Sequence, residues 1–252
     1  MKSFKILSNF AVLAFLFLIN FVYCHETSYP IPENLVPITS SAGQEILKRA
    51  ELKTNYEVLA RFFCPQPNPF FCGPTSGSII INAIRMKKMG FPNNLCSQIP
   101  ERFFTPEVNQ IKTPSQVMDP KGDAGFTLDQ FYRALQAHGL RVKKTEALPE
   151  LSDKNIIDDL LKTIQTKGKY IIINFFRPGI GERGGGHFSP LGAYDKISDS
   201  FLLMDVNPKK YPWVWVKTKD LLKGMRTLDR NHYRGFVVIN NKNLYSLKNS
   251  EI

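Results

Sequence analysis

The spacing of apolar residues divides the chain into three regimes. The first is a continuous run, ILSNFAVLAFLFLINFVY, behind the basic MKSFK and ahead of the polar CHETSYPIPENL. A positive start, an apolar stretch and a polar exit form the pattern of a secretory signal peptide, so residues 1–24 are expected to lie outside the fold. The run is also nearly long enough to span a bilayer, which leaves an uncleaved anchor as the alternative. The second regime, to about residue 165, has helical periods. SSAGQEILKRAELKTNYEVLARFF reads as polar helix and loop. PTSGSIIINAIRMKKM predicts a helix over Pro74–Met89, with Ile80, Ile81 and Ile84 at near-helical spacing and a stop at Gly90 and Pro92. Residues 93–125 are loop-rich, with a short helix at TPSQVM. TLDQFYRALQAHG is a helix opened by a Thr127–Gln130 capping box and closed by Gly139. SDKNIIDDLLKTIQTKG is another, with Ile156, Ile157, Leu160, Leu161 and Ile164 along one face.

In the third regime, from Tyr170, the period shortens. YIIINFF, HFSPLGAYD, FLLMDV, WVWVK and YRGFVVIN are strand-like runs separated by turns. The expected architecture is a single α+β domain over residues 25–252, a helical front half packed on a C-terminal antiparallel sheet. An active site forms most naturally where the two halves meet.

Composition narrows the function classes. With 43% hydrophobic residues the chain is globular. Its formal net charge is +11 and its pI about 9.5, so it attracts anions generally. The basic residues occur in short groups, RMKK and NPKK, without interleaved aromatics. That is a solvated basic face, and no nucleic-acid partner is expected. Of the four cysteines, Cys24 belongs to the leader. The remaining three are an odd number, and in an oxidising compartment an odd cysteine is reactive or a hazard. A Cys64–Cys96 disulfide that leaves Cys72 free is permitted, but spacing does not decide it. Three scattered cysteines make a poor soft-metal site, and the metal ligands, if any, are unknown.

Cys72 stands where PQPNPFF turns into an apolar helix. A helix N-terminus favours an anion and should lower the thiol pKa. A thiolate nucleophile needs a proton partner, and four histidines are available. His25 lies at the leader junction. His138 falls in the last turn of a helix, where its cation would complement the dipole. His187 ends the glycine-rich GERGGG and opens a strand; the glycines are expected to leave an open approach. Asp205 ends the partner strand of that hairpin, while Asp195 and Asp199 belong to the turn. His187 and Asp205 share a face only with a suitable register or a bulge. Gln66, six residues before Cys72, offers an amide donor for an oxyanion together with the Cys72 backbone N–H. The set Cys72, His187, Asp205 and Gln66 resembles that of papain-like enzymes.

The runs FFCGPTSGSIIINAI, NFFRPGIGERGGGHFSPLGAYD, FLLMDVNPKKYPWVWVKTKDLLKGMRTLD and RGFVVI together resemble the phytochelatin synthases, in particular the short bacterial type, over about residues 50–240. The resemblance implies a papain-like fold with Cys72, His187 and Asp205 as the triad and Gln66 in the oxyanion hole. It also implies Arg177, Asp229 and Arg234 around the γ-glutamyl-cysteinyl group of glutathione. Two carboxylates and one ammonium suit a fork of arginines plus one aspartate. The implied reaction releases glycine and passes a γ-Glu-Cys thioester to water or to a second glutathione. Partners are then glutathione and metal–glutathione complexes. No covalent cofactor is expected, and cadmium or zinc would activate through glutathione thiolates. A homodimer is permitted. The leader implies export, to the periplasm or beyond, and contact with a membrane only if it is uncleaved. The plant and fungal pattern continues into a long cysteine-rich region that this chain lacks, so hydrolysis is expected to outweigh polymer formation. Two other readings stay open: a double-glycine leader peptidase, and a non-enzymatic thiol or metal binder.

Overall fold

The computed structural model describes residues 29–85 and 102–240. The expected leader, Cys96 and the expected end of the helix at Met89 lie outside these residues. Among the described residues, no helix is long and apolar enough to cross a membrane.

A seven-stranded antiparallel sheet organises the chain, in the order β1-β6-β5-β4-β3-β9-β2. Its strands are β1 (Val36–Pro37), β2 (Arg141–Glu146), β3 (Lys169–Phe176), β4 (Gly186–Asp195), β5 (Ser200–Leu203), β6 (Val214–Lys217) and β9 (Gly235–Asn240). A separate two-stranded hairpin joins β7 (Leu228–Asp229) and β8 (His232–Tyr233). β3 lies inside the sheet, between β4 and β9, because KYIIINFF is apolar at almost every position and so can be covered on both faces. The sheet is not wholly C-terminal, as the sequence suggested: β1 and β2 come from the front half. β2, RVKKTE, escapes a hydrophobicity reading because it is an edge strand, where charges discourage further pairing.

Helices cover both faces. The front face packs against α1 (Ser41–Arg49), α2 (Tyr56–Arg61), α3 (Cys72–Arg85), α4 (Pro106–Asn109), α5 (Pro114–Val117) and α6 (Leu128–Ala137). The other face packs against α7 (Asp153–Ile164) and α8 (Thr218–Met225), through Ile156, Leu160, Leu221 and Met225. The expected capping box of α6 is present, with Thr127 and Gln130 exchanging bonds. The helix ends on Gly139 at φ 75°, with Leu140 N–H reaching the Leu135 carbonyl and Gly139 N–H reaching Gln136. Phe131 and Leu135 are fully buried on its inner face, each contributing ~1.5–3 kcal/mol.

One irregularity sets up the site. Near the turn, β4 and β5 pair Asp195 with Ser200 and Ala193 with Leu202, but beyond it Leu191 pairs with Leu203. Gly192 is the extra residue of a bulge. Without it, the register would set Asp205 opposite Pro190, on the face away from His187. The slip brings Asp205 into line with Ser189, on the face of His187. A Cβ on Gly192 would lie 2.7 Å from the Met204 sulfur and 3.3 Å from the Tyr56 ring. Met204 is fully buried and precedes Asp205. Gly192→Ala is therefore expected to cost ~1–3 kcal/mol of stability by overpacking. Urea unfolding measures it, and a wild-type midpoint would mean that the bulge has room for a side chain.

Candidate active site

Asn68 shapes the loop ahead of α3. Its side-chain oxygen accepts from Phe70 N–H at 2.9 Å, and its carbonyl accepts from Gln66 Nε2 at 2.7 Å. Gln66 N–H is tied to the Val206 carbonyl at 2.7 Å, which sets this loop beside the residue after Asp205. Gln66 is buried, and its Oε1 has no partner. α3 begins at Cys72, two residues before the expected start, so Cys72 is the first helical residue and its N–H has no intrahelical acceptor. Pro74 fits the first turn because its missing N–H is not needed there. Ser76 Oγ donates to the Phe188 carbonyl at 3.1 Å and pins the helix to β4, one residue past His187.

Cys72 is a free thiol, whereas Cys64 is disulfide-bonded. Burial pushes the Cys72 thiol up. The charge and hydrogen bond of His187, the Phe188 N–H and the Arg177 cation outweigh burial and leave it below the usual thiol range. His187 is buried at 4% exposure, and its Nε2 lies 2.9 Å from Asp205 Oδ1. Burial and Arg177 disfavour its cation, yet Asp205 and the Cys72 thiolate raise it above an ordinary histidine. Asp205 is fully buried and held well below the usual carboxylate range; burial opposes this, and Arg177 and His187 prevail. Asn207 N–H adds a 2.7 Å bond to Asp205 Oδ1. A thiol, an imidazole and a carboxylate thus stand in series, the imidazole offering one nitrogen to each neighbour. Such a series can form a thiolate, attack a carbonyl and return a proton to a leaving group.

Arg177 is not presented to solvent. It is 2% exposed and forks between two buried carboxylates. Nη2 donates to Asp205 Oδ1 at 3.0 Å, and Nη1 bonds Glu182 Oε2. Nη1 also lies 2.7 Å from Asp205 Oδ2, without hydrogen-bond alignment. The Tyr211 ring packs against the guanidinium at 5.3 Å. Among the described residues the Arg177 guanidinium thus supports Asp205. Glu182 was missed in the sequence because it sits among exposed-looking glycines. Burial raises it to about 7, with Arg177 opposing.

The glycines of GERGGG do more than leave an approach open. Gly184, at φ 128°, admits the Arg177 stem, which a Cβ would meet at 2.9 Å. A Cβ on Gly186 would meet Arg234 Nη2 at 2.7 Å. Arg234 therefore lies against the residue that precedes His187. It bonds Leu228 and Thr227, stands 3.6 Å from Asp229 and covers the Phe176 ring. Asp229 is partly exposed in the β7–β8 hairpin. Arg230, in the turn of that hairpin, pairs with Asp123. Asp123 also takes the buried Lys112 at 3.0 Å. Burial and the nearby Arg230 bring Lys112 down to about 8, Asp229 partly opposing. His138 departs from expectation: its Nε2 bonds the Phe103 carbonyl at 2.9 Å, and burial lowers it, so it acts as a neutral packing group. Among the described residues, no group of three or more His, Cys, Asp or Glu side chains is placed to hold a metal ion.

The family profile described as phytochelatin synthase matches residues 26–236. The chain is similar to the glutathione gamma-glutamylcysteinyltransferase of Schizosaccharomyces pombe, 27% identical over 83% of this chain and 50% of that protein. It is similar also to the glutathione gamma-glutamylcysteinyltransferase 1 of Arabidopsis thaliana, 28% identical over 85% of this chain and 43% of that protein. The chain spans about half the length of the curated relatives it matches or somewhat less.

Arg177→Met would strand two buried carboxylates and is expected to cost ~3–5 kcal/mol near neutral pH. The deficit should shrink on acidification. Both carboxylates would have raised pKa values in the variant and would take up protons first, whereas wild-type Asp205 stays ionised to low pH and loses its contribution only there. Urea unfolding across pH measures this, and a deficit independent of pH would remove the carboxylates from the account.

Proposed function

The chain belongs to the phytochelatin synthase family, and from that premise we propose that it is a thiol-dependent acyltransferase acting on glutathione, built on a papain-like fold. The carrying observation is the order Cys72–His187–Asp205 with Arg234 and Asp229 at its edge. The names of the similar proteins support the choice of glutathione.

The Cys72 thiolate attacks the cysteinyl carbonyl carbon. The Cys72 N–H and the Gln66 amide, which has a second hydrogen beyond the one on Asn68, receive the oxyanion. The C–N bond to glycine then breaks, and His187 gives its proton to the departing amine. A γ-Glu-Cys thioester remains on Cys72. His187, now neutral, takes a proton from water to release γ-Glu-Cys, or from the amine of a second glutathione to form a two-unit phytochelatin. Arg234 suits the carboxylate of the γ-glutamyl group, and Asp229 its ammonium. Cadmium or zinc enters as substrate, on glutathione thiolates. The disulfide at Cys64 supports an exported protein, since such bonds persist in oxidising compartments.

Mass spectrometry of glutathione incubated with the protein, with and without cadmium, tests the assignment. γ-Glu-Cys and glycine should dominate, because water needs no orienting site whereas an acceptor amine does. Mostly polymeric products would require a dedicated acceptor site. Cys72→Ser should abolish glycine release with the melting temperature preserved; substantial residual release would assign the nucleophile elsewhere. Asp229→Asn should raise KM ~10-fold or more with a smaller change in kcat, as loss of one charge-assisted contact requires. An unchanged KM would remove Asp229 from substrate recognition.

A further inference from the structure

Glu182 takes no part in the steps above, yet it is among the most deeply buried ionisable groups of the protein. It is 2% exposed; Oε2 bonds Arg177 Nη1, and Oε1 has no partner. Its surroundings bring together charges from several elements. Arg177 comes from the turn after β3 and Asp205 from the segment after β5. His187 comes from the start of β4. Arg183 follows it in the chain, its N–H bonded to Tyr211 Oη. Lys210 Nζ reaches the neighbouring Gly184. Side chains thus run in one line of alternating charge: Glu182, Arg177, Asp205, His187, Cys72.

We propose that Glu182 is a positioning residue that holds Arg177 against Asp205 and, through its charge, sets the pH window in which Cys72 and His187 coexist as thiolate and imidazolium. The geometric half follows from the fork. Nη1 has one aligned acceptor, Glu182, and only an off-axis approach to Asp205 at 2.7 Å. Without Glu182 the guanidinium is free to turn about its bond to Asp205 Oδ1, and the carboxylate that orients His187 turns with it. The electrostatic half follows from sign. A negative Glu182 offsets the Arg177 cation. Removing that charge leaves Arg177 unopposed, which favours the thiolate and disfavours the imidazolium. Both transitions then move toward acid together. A group of purely structural importance would lower stability or rate without moving both midpoints in one direction.

The inference rests on Cys72 being the reactive thiol, not on what it attacks, so both readouts omit glutathione. The rate of Cys72 carboxamidomethylation by iodoacetamide, followed at the peptide level by mass spectrometry across pH, reports the thiolate. The ring resonances of His187 report the imidazolium. Glu182→Gln keeps an acceptor for Arg177 and drops the charge, and both midpoints should fall by about half a unit to one unit. Glu182→Asp keeps the charge on a shorter stem and should leave both midpoints near wild type. Folded Glu182→Gln protein with unmoved midpoints, or with midpoints that move apart, overturns the proposal. If that variant does not fold, Glu182→Asp decides: midpoints moved toward acid with the charge retained overturn it. Loss of the glutathione reading would appear instead as normal alkylation with no glycine released.

Discussion

Arg177 is a cation with almost no access to water, and the site depends on its double pairing. An isolated buried charge is unaffordable, and a buried pair is stable only when its geometry and remaining hydrogen bonds are satisfied. Asp205 and Glu182 pair with Arg177 from two sides, Asp205 as the firmly ionised partner. In return Asp205 stays ionised, and that is what raises His187 and fixes which of its nitrogens faces away from Cys72. The thiolate is the last member of the series and gains from each member before it. Burial works against Cys72, His187 and Asp205 in their charged forms, so alternation of sign is the only way five such groups can stand in line.

Backbone devices, more than side-chain complementarity, bring these groups together. The Gly192 bulge changes the register so that Asp205 faces the side of His187. The Asn68 turn delivers Cys72 at the first position of α3, and the Gln66–Val206 bond ties that loop to the residue beyond Asp205. The Ser76–Phe188 bond then holds the helix start against β4. Each is a single contact, but each is anchored in a core of fully buried residues such as Phe131, Phe175 and Trp215. Small shifts are therefore resisted by packing on both faces of the sheet.

Much of this was legible in the sequence for definite reasons. Thr127 and Gln130 announced α6 because a capping box has a fixed spacing, and the runs from Tyr170 announced strands because their apolar residues are too dense for one helical face. The proximity of Cys72, His187 and Asp205 was legible because cysteine and histidine are scarce residue types and all three stand in readable contexts. The α+β class followed from the change of period. What escaped has reasons too. β2 hides because an edge strand tolerates Arg141, Lys143 and Lys144. α8 hides because TKDLLKGM is short and follows a strand without a gap. His138 was misread because helix position says nothing of the Phe103 carbonyl it meets. The pairing of Arg177 with Glu182 was hidden in a loop whose glycines suggest exposure. The bulge was invisible, since one glycine in HFSPLGAYD does not reveal that Met204 fills the place of its side chain.

The glycine loop also joins two parts of the site that have different physical characters. On one side is the buried charge series, Glu182, Arg177, Asp205 and His187, each no more than 4% exposed. On the other is the β7–β8 hairpin, where Asp229 is partly exposed and the buried Arg234 follows directly. The hairpin is held from outside by Asp123, which binds Arg230 at the surface and Lys112 below it. The exposed pair contributes little by itself; the buried lysine is the firmer tie, because displacing Asp123 would leave Lys112 without its carboxylate. Gly184 rests on Arg177, and Gly186, two residues on, rests on Arg234. The same short backbone thus spaces both arginines and then continues directly into His187. The backbone that leaves room for Arg177 at Gly184 and for Arg234 at Gly186 is therefore also the backbone that sets the position of His187, while a Cβ on Gly185 between them would meet nothing within 4 Å.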